Sequence, residues 1–375
     1  MQQVRRIAIL SPFYPYRGGI AQFSDRLYAE LQQQGHTVAA FNFTRLYPDL
    51  LFPGKTQYVE EGQEAAGLES QRILDSINPI SYFRTVTAIR RFRPDLLIIA
   101  YWMPFFVPAY AHIANRLKRE CRVVALVHNA ISHEGRWFDR PLLQLFFREC
   151  GGFIVLSDLV RQTVQELSPE APCQLSPHPL YDHFGAKIDR TEACRRLQLD
   201  PAKQTLLFFG LIRDYKGLDR LIEAMDRLSD RYQLLIAGEC YGSFEKYERL
   251  LAASSARDRI RVHNHYISDA DIPLYFSAAD ALVLPYRSAT QSGVLSVAYH
   301  YDLPVLATPV GDFPNSIGKP GTGVVVADCS AEALAAGIEQ LFQPDQLAAC
   351  ARQLAGEKAR LSWSRFVEKA VVPLL

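Results

Sequence analysis

Apolar residues along the chain fall into two alternating patterns. Short unbroken runs, such as Ile7-Ala8-Ile9-Leu10 and Leu96-Leu97-Ile98-Ile99-Ala100, read as strands buried on both faces. Segments with apolar positions at helical spacing lie between them, as in Ala21–Gln33, which Gly35 ends. In the first half the predicted strands are Val4–Leu10, Thr37–Phe43, Asp95–Ala100, Val123–Val127 and Phe153–Leu156. Leu46–Ser76 has no clear period, and no element is assigned there. Alternating strands and helices predict a parallel sheet covered on both faces.

The pattern breaks at Leu175–Phe184, which carries two prolines and no periodicity. A second series then begins, with strands at Thr205–Phe209, Tyr232–Ala237, Ile260–His263, Ala281–Leu284, Val305–Ala307 and Gly323–Val326. Leu218–Leu228 and Ala331–Phe342 read as helices of this series. The expected fold is α/β, with two tandem Rossmann-like domains and a cleft between them. The expected boundaries are 1–176, a linker at 177–185, and 186–358. Ligands of such sheets bind at the carboxyl ends of strands, so functional loops should follow strands.

Composition narrows the classes. At 375 residues the chain is long for a single core. Its 41 basic and 40 acidic residues leave a net charge of +1, which argues against a nucleic-acid partner. The seven cysteines contain no C-x-x-C pair, so the common zinc and redox motifs are missing and reduced thiols in a cytosol are expected. Ile7–Leu10 is too short for a signal-peptide core. Leu96–Asn115 is uncharged and long enough to cross a bilayer, but Pro104 and Pro108 interrupt it. A strand, loop and helix in succession is the better reading.

Three strand-to-helix turns carry candidate chemistry. Phe208-Phe-Gly-Leu-Ile-Arg-Asp-Tyr-Lys-Gly217 places Arg213 and Lys216 at a helix start, with Gly210 and Gly217 freeing the backbone. Two cations and exposed amides suit a diphosphate; a solvated charged turn is the plainer alternative. Ser288-Ala-Thr-Gln-Ser-Gly-Val294 follows a strand ending in Tyr286, and Thr290, Gln291, Ser292, Gly293 and Val294 either hold a phosphate or ribose or cap the next helix. Gly18 and Gly19 follow the first strand and allow close backbone approach to an anion, or make an ordinary turn. No G-x-G-x-x-G and no G-x-x-x-x-G-K-[ST] occurs, which removes the best support for dinucleotide dehydrogenases and P-loop ATPases. His128 ends a strand, in place for a ligand role or a structural hydrogen bond. His133-Glu134 fits no metal motif, and His263 and His265 read as structural. Asp269-Ala-Asp271 looks like a metal-binding D-x-D, but reads as a helix cap.

With these residues in this order, the chain resembles glycosyltransferase family 4. The resemblance rests on the Gly-Gly turn, the F-G-x-x-x-x-x-K-G segment with its Arg, and the strands Tyr232–Gly238, Asp280–Tyr286 and Leu303–Thr308. It implies a GT-B fold, a retaining mechanism of hexosyltransferase type, a nucleoside-diphosphate sugar as donor and no required metal or other cofactor. It also implies that the last helix, within 359–375 and around Trp363–Ala370, crosses back onto the first domain. By the same resemblance Arg213 and Lys216 neutralise the donor diphosphate, and Gly18 and Gly19 approach it from the other domain. His128 faces the donor sugar, and Tyr266 and Ile267 line the nucleobase pocket.

One departure is plain. The family usually carries two glutamates before the strand that here begins Pro304-Val305, and their positions fall on Ala289 and Val297. A Thr290-Gln291-Ser292-Gly293 loop stands there instead, so hydroxyls, an amide and backbone N–H groups must replace the carboxylates. Asn315 likewise stands where a Glu often follows Pro314.

A glycan or lipid-linked acceptor is expected, in polysaccharide or glycolipid synthesis. The expected location is the cytoplasm, with the inner face of the membrane as a variant. Eight Lys or Arg residues between Arg84 and Arg122 flank the aromatic stretch Tyr101–Phe106. Exposed aromatics there would suit a peripheral membrane contact; a buried aromatic core with a solvated basic helix face is the other reading. Two other functions stay open: a nucleotide-sugar epimerase of similar fold, and a catalytically silent nucleotide-sugar binding protein.

Overall fold

The computed structural model describes residues 4–48, 57–59, 68–129, 139–289 and 292–375. The chain divides into two compact units: Met1–Pro179 with Ser362–Leu375, and Leu180–Leu361.

The first unit is built on seven parallel strands: β1 (Arg6–Leu10), β2 (Thr37–Arg45), β3 (Ser70–Asp75), β4 (Leu96–Tyr101), β5 (Arg122–Val127), β6 (Gly152–Val155) and β7 (Cys173–Leu175), in the order β3-β2-β1-β4-β5-β6-β7. Its central strands bury both faces, which is why they read as unbroken apolar runs. Ala8, Leu97, Ile99 and Ala125 point into a layer with Val86, Ile89, Tyr110 and Ile113. Ile7, Ile9, Ile98 and Leu126 point into the opposite layer. That second layer holds Phe23, Leu27 and Leu31 of the helix Gly19–Gln33, together with Trp363, Phe366, Val367 and Leu374. The carboxyl-terminal segment therefore completes the first unit's core. Leu96–Asn115 resolves into β4, a turn at Pro104–Phe106 and the helix Val107–Leu117. No helix among the described residues is long and apolar enough to cross a membrane. The seven cysteines are all free thiols.

The second unit holds six parallel strands: β8 (Gln204–Phe209), β9 (Tyr232–Ala237), β10 (Ile260–His263), β11 (Ala281–Leu284), β12 (Val305–Ala307) and β13 (Gly323–Val325), in the order β10-β9-β8-β11-β12-β13. Leu180, Tyr181 and Phe184, within the proline-rich stretch, are buried in this unit's core. Each sheet is thus a Rossmann-like layer whose order reverses once, between β1 and β4 and between β8 and β11. At such a reversal the neighbouring crossovers run to opposite sides, which opens a crevice at the strands' carboxyl ends.

Candidate functional site

In the second unit the crevice is walled by the loops that leave β8 and β11. β8 runs through Gly210 (φ +96°) into a single turn, Asp214–Lys216, and Gly217 (φ +67°) opens the helix Leu218–Met225. Glycine is required here by contact as well as by conformation. A Cβ on Gly217 would lie 1.9 Å from the Pro285 carbonyl oxygen, and one on Gly238 would lie 2.0 Å from that of Gly210. The β8 turn is therefore pressed against the ends of its two neighbouring strands.

The charges of this turn are sorted. Asp214 accepts from Lys246 Nζ at 2.8 Å and from the Tyr247 hydroxyl at 3.3 Å. Asp219 accepts from Arg287 at 2.6 Å and lies 3.3 Å from Lys246 Nζ. Arg287 also donates to the Asp214 carbonyl at 2.5 Å, and its backbone N–H donates to Tyr215 O at 2.7 Å. The Lys246 hydrogen bond holds the Asp214 carboxyl below its usual range. Burial works to raise Asp219, but Arg287 and Lys246 outweigh it and keep it ionised. Both acids are thereby consumed by cations from elsewhere. Arg213 and Lys216 are left with no ion pair and no side-chain hydrogen bond among the described residues.

These two cations are positioned by aromatic rings. The Arg213 guanidinium lies 4.9 Å from the centre of the Tyr241 ring, and Lys216 Nζ lies 5.4 Å from that of Tyr286. Lys216 is 8% exposed. Burial lowers its pKa and Arg213 adds to that, while Tyr215 opposes. A buried ammonium without a counter-ion is costly until an anion arrives.

The second loop meets the first over Gly210. Lys216 Nζ lies 3.4 Å, and Val294 Cγ2 3.6 Å, from the position a Cβ on Gly210 would take. Ser292 sits at the N-cap of the helix Gly293–His300, yet its hydroxyl makes no cap hydrogen bond. It lies instead 3.3 Å from the Tyr286 hydroxyl. Ser292 and Lys216 thus share Tyr286, and the structure brings Gly210, Lys216, Ser292 and Val294 together. Thr290 and Gln291 lie outside the described residues. Ala289 and Val297, at the positions of the missing glutamates, are buried in the apolar core. A carboxylate at either position would be buried among apolar side chains. Asn315 Nδ2 donates to Asp312 at 3.1 Å.

Tyr266 and Ile267 follow β10, separated from β8 by β9, so roughly 10 Å of sheet lies between the two loops. Tyr266 is half-buried. The Ile267 side chain is in the core, which leaves its backbone to line any pocket. His263 hydrogen-bonds the Tyr275 hydroxyl at 2.7 Å, as a structural histidine would. Asp271 stands at the N-cap of Ile272–Ala278, but its carboxylate accepts from Ser268 at 2.7 Å and caps no helix amide. The capping expectation is corrected to that extent: the turn before the helix, not the helix, takes the charge. No group of three or more His, Cys, Asp or Glu among the described residues is arranged to hold a metal ion.

The first unit contributes different chemistry. Gly18 (φ +107°) is the N-cap of Gly19–Gln33, a helix with no acid in its first turn, and a Cβ on Gly18 would meet nothing within 4 Å. His128 follows β5, its N–H donating to Tyr101 O at 2.8 Å. Its ring is buried, and burial, with His178 adding, lowers its pKa to about 3. His178 is lowered to about 4 by burial, against a hydrogen bond to Pro179 O at 2.7 Å. The Phe23 ring packs edge-on against both imidazoles, at 4.9 and 5.0 Å. Both histidines are therefore neutral at physiological pH. His133 and Glu134 lie outside the described residues.

Sequence reasoning missed the braces. Arg287 is 68 residues from Asp219 and Lys246 is 32 from Asp214. No local pattern links them. His178 was hidden in the proline-rich stretch.

Two tandem Rossmann-like parallel-sheet units place the chain in the GT-B class of α/β protein. The family pattern described as "Glycosyltransferase Family 4" matches residues 17–179, and that described as "Glycosyl transferases group 1" matches 203–344. The chain belongs to glycosyltransferase family 4. It is 30% identical over 184 residues to a D-inositol 3-phosphate glycosyltransferase of Segniliparus rotundus, covering 47% of this chain and 40% of that protein. It is also 30% identical over 190 residues to a GDP-mannose:glycolipid 4-beta-D-mannosyltransferase of Xanthomonas campestris pv. campestris, covering 49% of each. The chain thus spans half or less of the length of these relatives. Its fold is similar to that of HepE of Anabaena in complex with UDP and glucose, with a TM-score of 0.74, 14% identity and 99% of each chain covered.

Proposed function

We propose that this chain is a retaining glycosyltransferase that moves a sugar from a nucleoside-diphosphate sugar to a glycan or lipid-linked acceptor. The reading rests on one observation: Arg213 and Lys216 stand in the turn that leaves β8 at the strand-order reversal, with no ion pair among the described residues, while Asp214 and Asp219 are paired elsewhere. As the glycosyl bond breaks, its electron pair passes to the diphosphate. Fixed cations stabilise that growing charge without needing to reorganise. Lys216 and Arg213 take this role, so the charge is met without a metal. The Ser292 hydroxyl and the amides of Gly293 and Val294 replace the missing carboxylates in holding the donor. His128, neutral and buried, offers a hydrogen bond to the donor sugar rather than a proton. The glycolipid named for the Xanthomonas relative, and the UDP and glucose of the HepE complex, support the substrate class.

Thermal shifts with UDP, GDP, ADP and CMP, and with UDP- and GDP-sugars, all in EDTA, test the reading. Ligand at a hundred times its dissociation constant adds about 2.7 kcal/mol. One nucleoside diphosphate should stabilise the native protein and not Arg213→Ala, and with acceptor present Arg213→Ala should turn over on the order of 10²-fold more slowly. Near-normal turnover of that variant sinks the assignment. Interconversion of the nucleotide sugar without acceptor would make the protein an epimerase, and binding without any turnover a silent binding module.

A further inference from the structure

Apolar side chains left in water are ordinary when scattered and informative when clustered. Three large ones lie within seven residues of the first unit: Ile77 (47% exposed), Ile80 (62%) and Phe83 (54%). They stand at the start of the helix Pro79–Phe92, which Asn78 caps by accepting from Ile80 N at 3.0 Å. Helical spacing puts Ile80, Phe83, Arg84, Thr87 and Arg91 on one face, and all five are exposed. That face is apolar at its beginning and cationic at its end, over about 16 Å.

The charge on this surface is mainly positive, and its exposed Asp95 accepts from Arg6 N at 2.8 Å. Neither Pro79–Phe92 nor the adjoining Val107–Leu117 contains an acid. The acids around them are engaged: Glu120 with Arg90 at 2.6 Å, Glu149 with Lys118 at 2.5 Å, and Asp75 with Arg45 at 3.3 Å. Arg84, Arg91, Arg93, Arg116 and Arg119 form no ion pair among the described residues. The Arg116 guanidinium hangs 5.9 Å over the Phe83 ring, so cation and apolar surface are adjacent. Beyond them Arg6, Thr87, Arg90, Arg91 and Arg93 line an open depression of about 680 Å³. Arg6 is spent on the helix's last carbonyls, at 2.9 Å from Phe92 O, and Arg90 on Glu120. Arg91 and Arg93 remain to take an anion. The aromatic stretch Tyr101–Phe106, by contrast, is drawn inward: Tyr101 and Phe106 are fully buried, and Trp102 donates to the Tyr47 hydroxyl at 2.8 Å.

We propose that this face docks on an anionic phospholipid bilayer, with Ile77, Ile80 and Phe83 entering the interface and Arg84, Arg91, Arg93 and Arg116 meeting lipid phosphates. Apolar residues beside unpaired cations are what such a surface selects. The inference does not rest on the donor site, which lies in the other unit. Flotation of the full chain with phosphatidylcholine vesicles, with and without about a third phosphatidylglycerol, tests it. The protein should float with the anionic vesicles at low salt, stay down with the neutral ones, and be released by high salt. Arg84→Gln and Arg91→Gln should each weaken binding about fivefold, and Ile80→Ser with Phe83→Ser by on the order of tenfold or more. Leu159→Ser, at an exposed leucine on another helix, should change nothing. These are surface positions, so melting and nucleotide binding of each variant should match the native protein. The proposal is overturned if the native protein ignores anionic vesicles at low salt, or if the Ile80 and Phe83 variants bind as well as Leu159→Ser.

Discussion

The loop that leaves β8 and the loops that leave β1 and β5 occupy equivalent ends of two similarly ordered sheets, yet they are braced by different chemistry. In the second unit Arg213 and Lys216 are cations whose neighbouring acids are held by Lys246 and Arg287. In the first unit the turn after β1 carries one cation, Arg17, and the groups that brace the turns after β1 and β5 are neutral. Asn42 braces the β1 turn through Phe13 N and O, both at 3.1 Å, and His128 and His178 are kept uncharged by burial. A loop that must hold an anion needs positive charge that no local acid cancels, and a brace made of ion pairs supplies it by occupying the acids. The first-unit turns are braced without ion pairs around their histidines, and hydrogen bonds and ring packing hold them.

Acid should separate the two units. His128 and His178 titrate in the folded chain at about 3 and about 4, against about 6.5 when unfolded. Their folded pKa values are depressed, so the unfolded chain binds protons first as pH falls. Their stabilising contribution is complete above about pH 6.5 and is lost as pH falls from there towards the folded values. Between pH 7 and 5 the loss is about 2 kcal/mol per histidine, so about 4 kcal/mol for the pair. His36 and His112 in the same unit shift in the same direction through burial, as does His263 in the second unit. Trp102 and Trp363 belong to the first unit and the third tryptophan, Trp137, lies outside the described residues; the second unit's span, 180–361, contains no tryptophan, so tryptophan fluorescence in urea follows the first unit. A first-unit midpoint that is the same at pH 7 and pH 5 would remove the claim that these histidines are buried neutral.

The glycines sharpen the comparison at a smaller scale. Gly217→Ala would drive a Cβ to within 1.9 Å of the Pro285 backbone, and should cost about 3 kcal/mol through forced backbone movement. Gly18→Ala meets open space, and should cost only the strain of its positive φ, about 1 kcal/mol. Equal losses in urea denaturation would mean that the Gly18 turn is as tightly packed as the Gly217 turn, and the contrast between a packed turn and an open one would fail.

Strands in the middle of each sheet are legible in the sequence because burial on both faces makes them continuous apolar runs. The two that escape notice, β3 and β7, are the edges of the first sheet. β3 exposes Gln71 and Arg72 and pairs with β2 through two register shifts, while β7 is three half-buried residues long. An edge strand can do without an apolar run, and β3 and β7 have none, whereas β10 and β13, the edges of the second sheet, are legible. At the site, Arg213 and Lys216 stand out because a single turn carries them. The braces Lys246 and Arg287, and the rings Tyr241 and Tyr286, are brought in by the order of strands, which local spacing does not encode. For the proposed docking face, the arginines stand in the stretch that the sequence singles out, but the apolar residues beside them are not the aromatic ones it pairs them with. Tyr101–Phe106 is apolar because it is core, whereas Ile77, Ile80 and Phe83 look unremarkable in a row and become a patch only through their exposure.

Ser292 gives the finest test, because the β11 loop reads either as a ligand-holding turn or as a helix cap, with ligand binding favoured. A Ser that caps its helix is worth about 1 kcal/mol when replaced by Ala. Here the hydroxyl makes no cap hydrogen bond and turns towards Tyr286, 3.3 Å away, beside Lys216. Ser292→Ala should therefore leave the urea midpoint of the second unit unchanged. If the hydroxyl gives one hydrogen bond to the donor, its loss costs about 1 kcal/mol, a roughly fivefold weaker affinity for the nucleotide sugar. Calorimetric titration of native and variant protein with the same nucleotide sugar reads that difference directly. A stability loss with unchanged affinity would return Ser292 to the role of a cap. The donor contacts of this loop would then fall to the amides of Gly293 and Val294, and Lys216 would face the donor from across Gly210 without the hydroxyl's help.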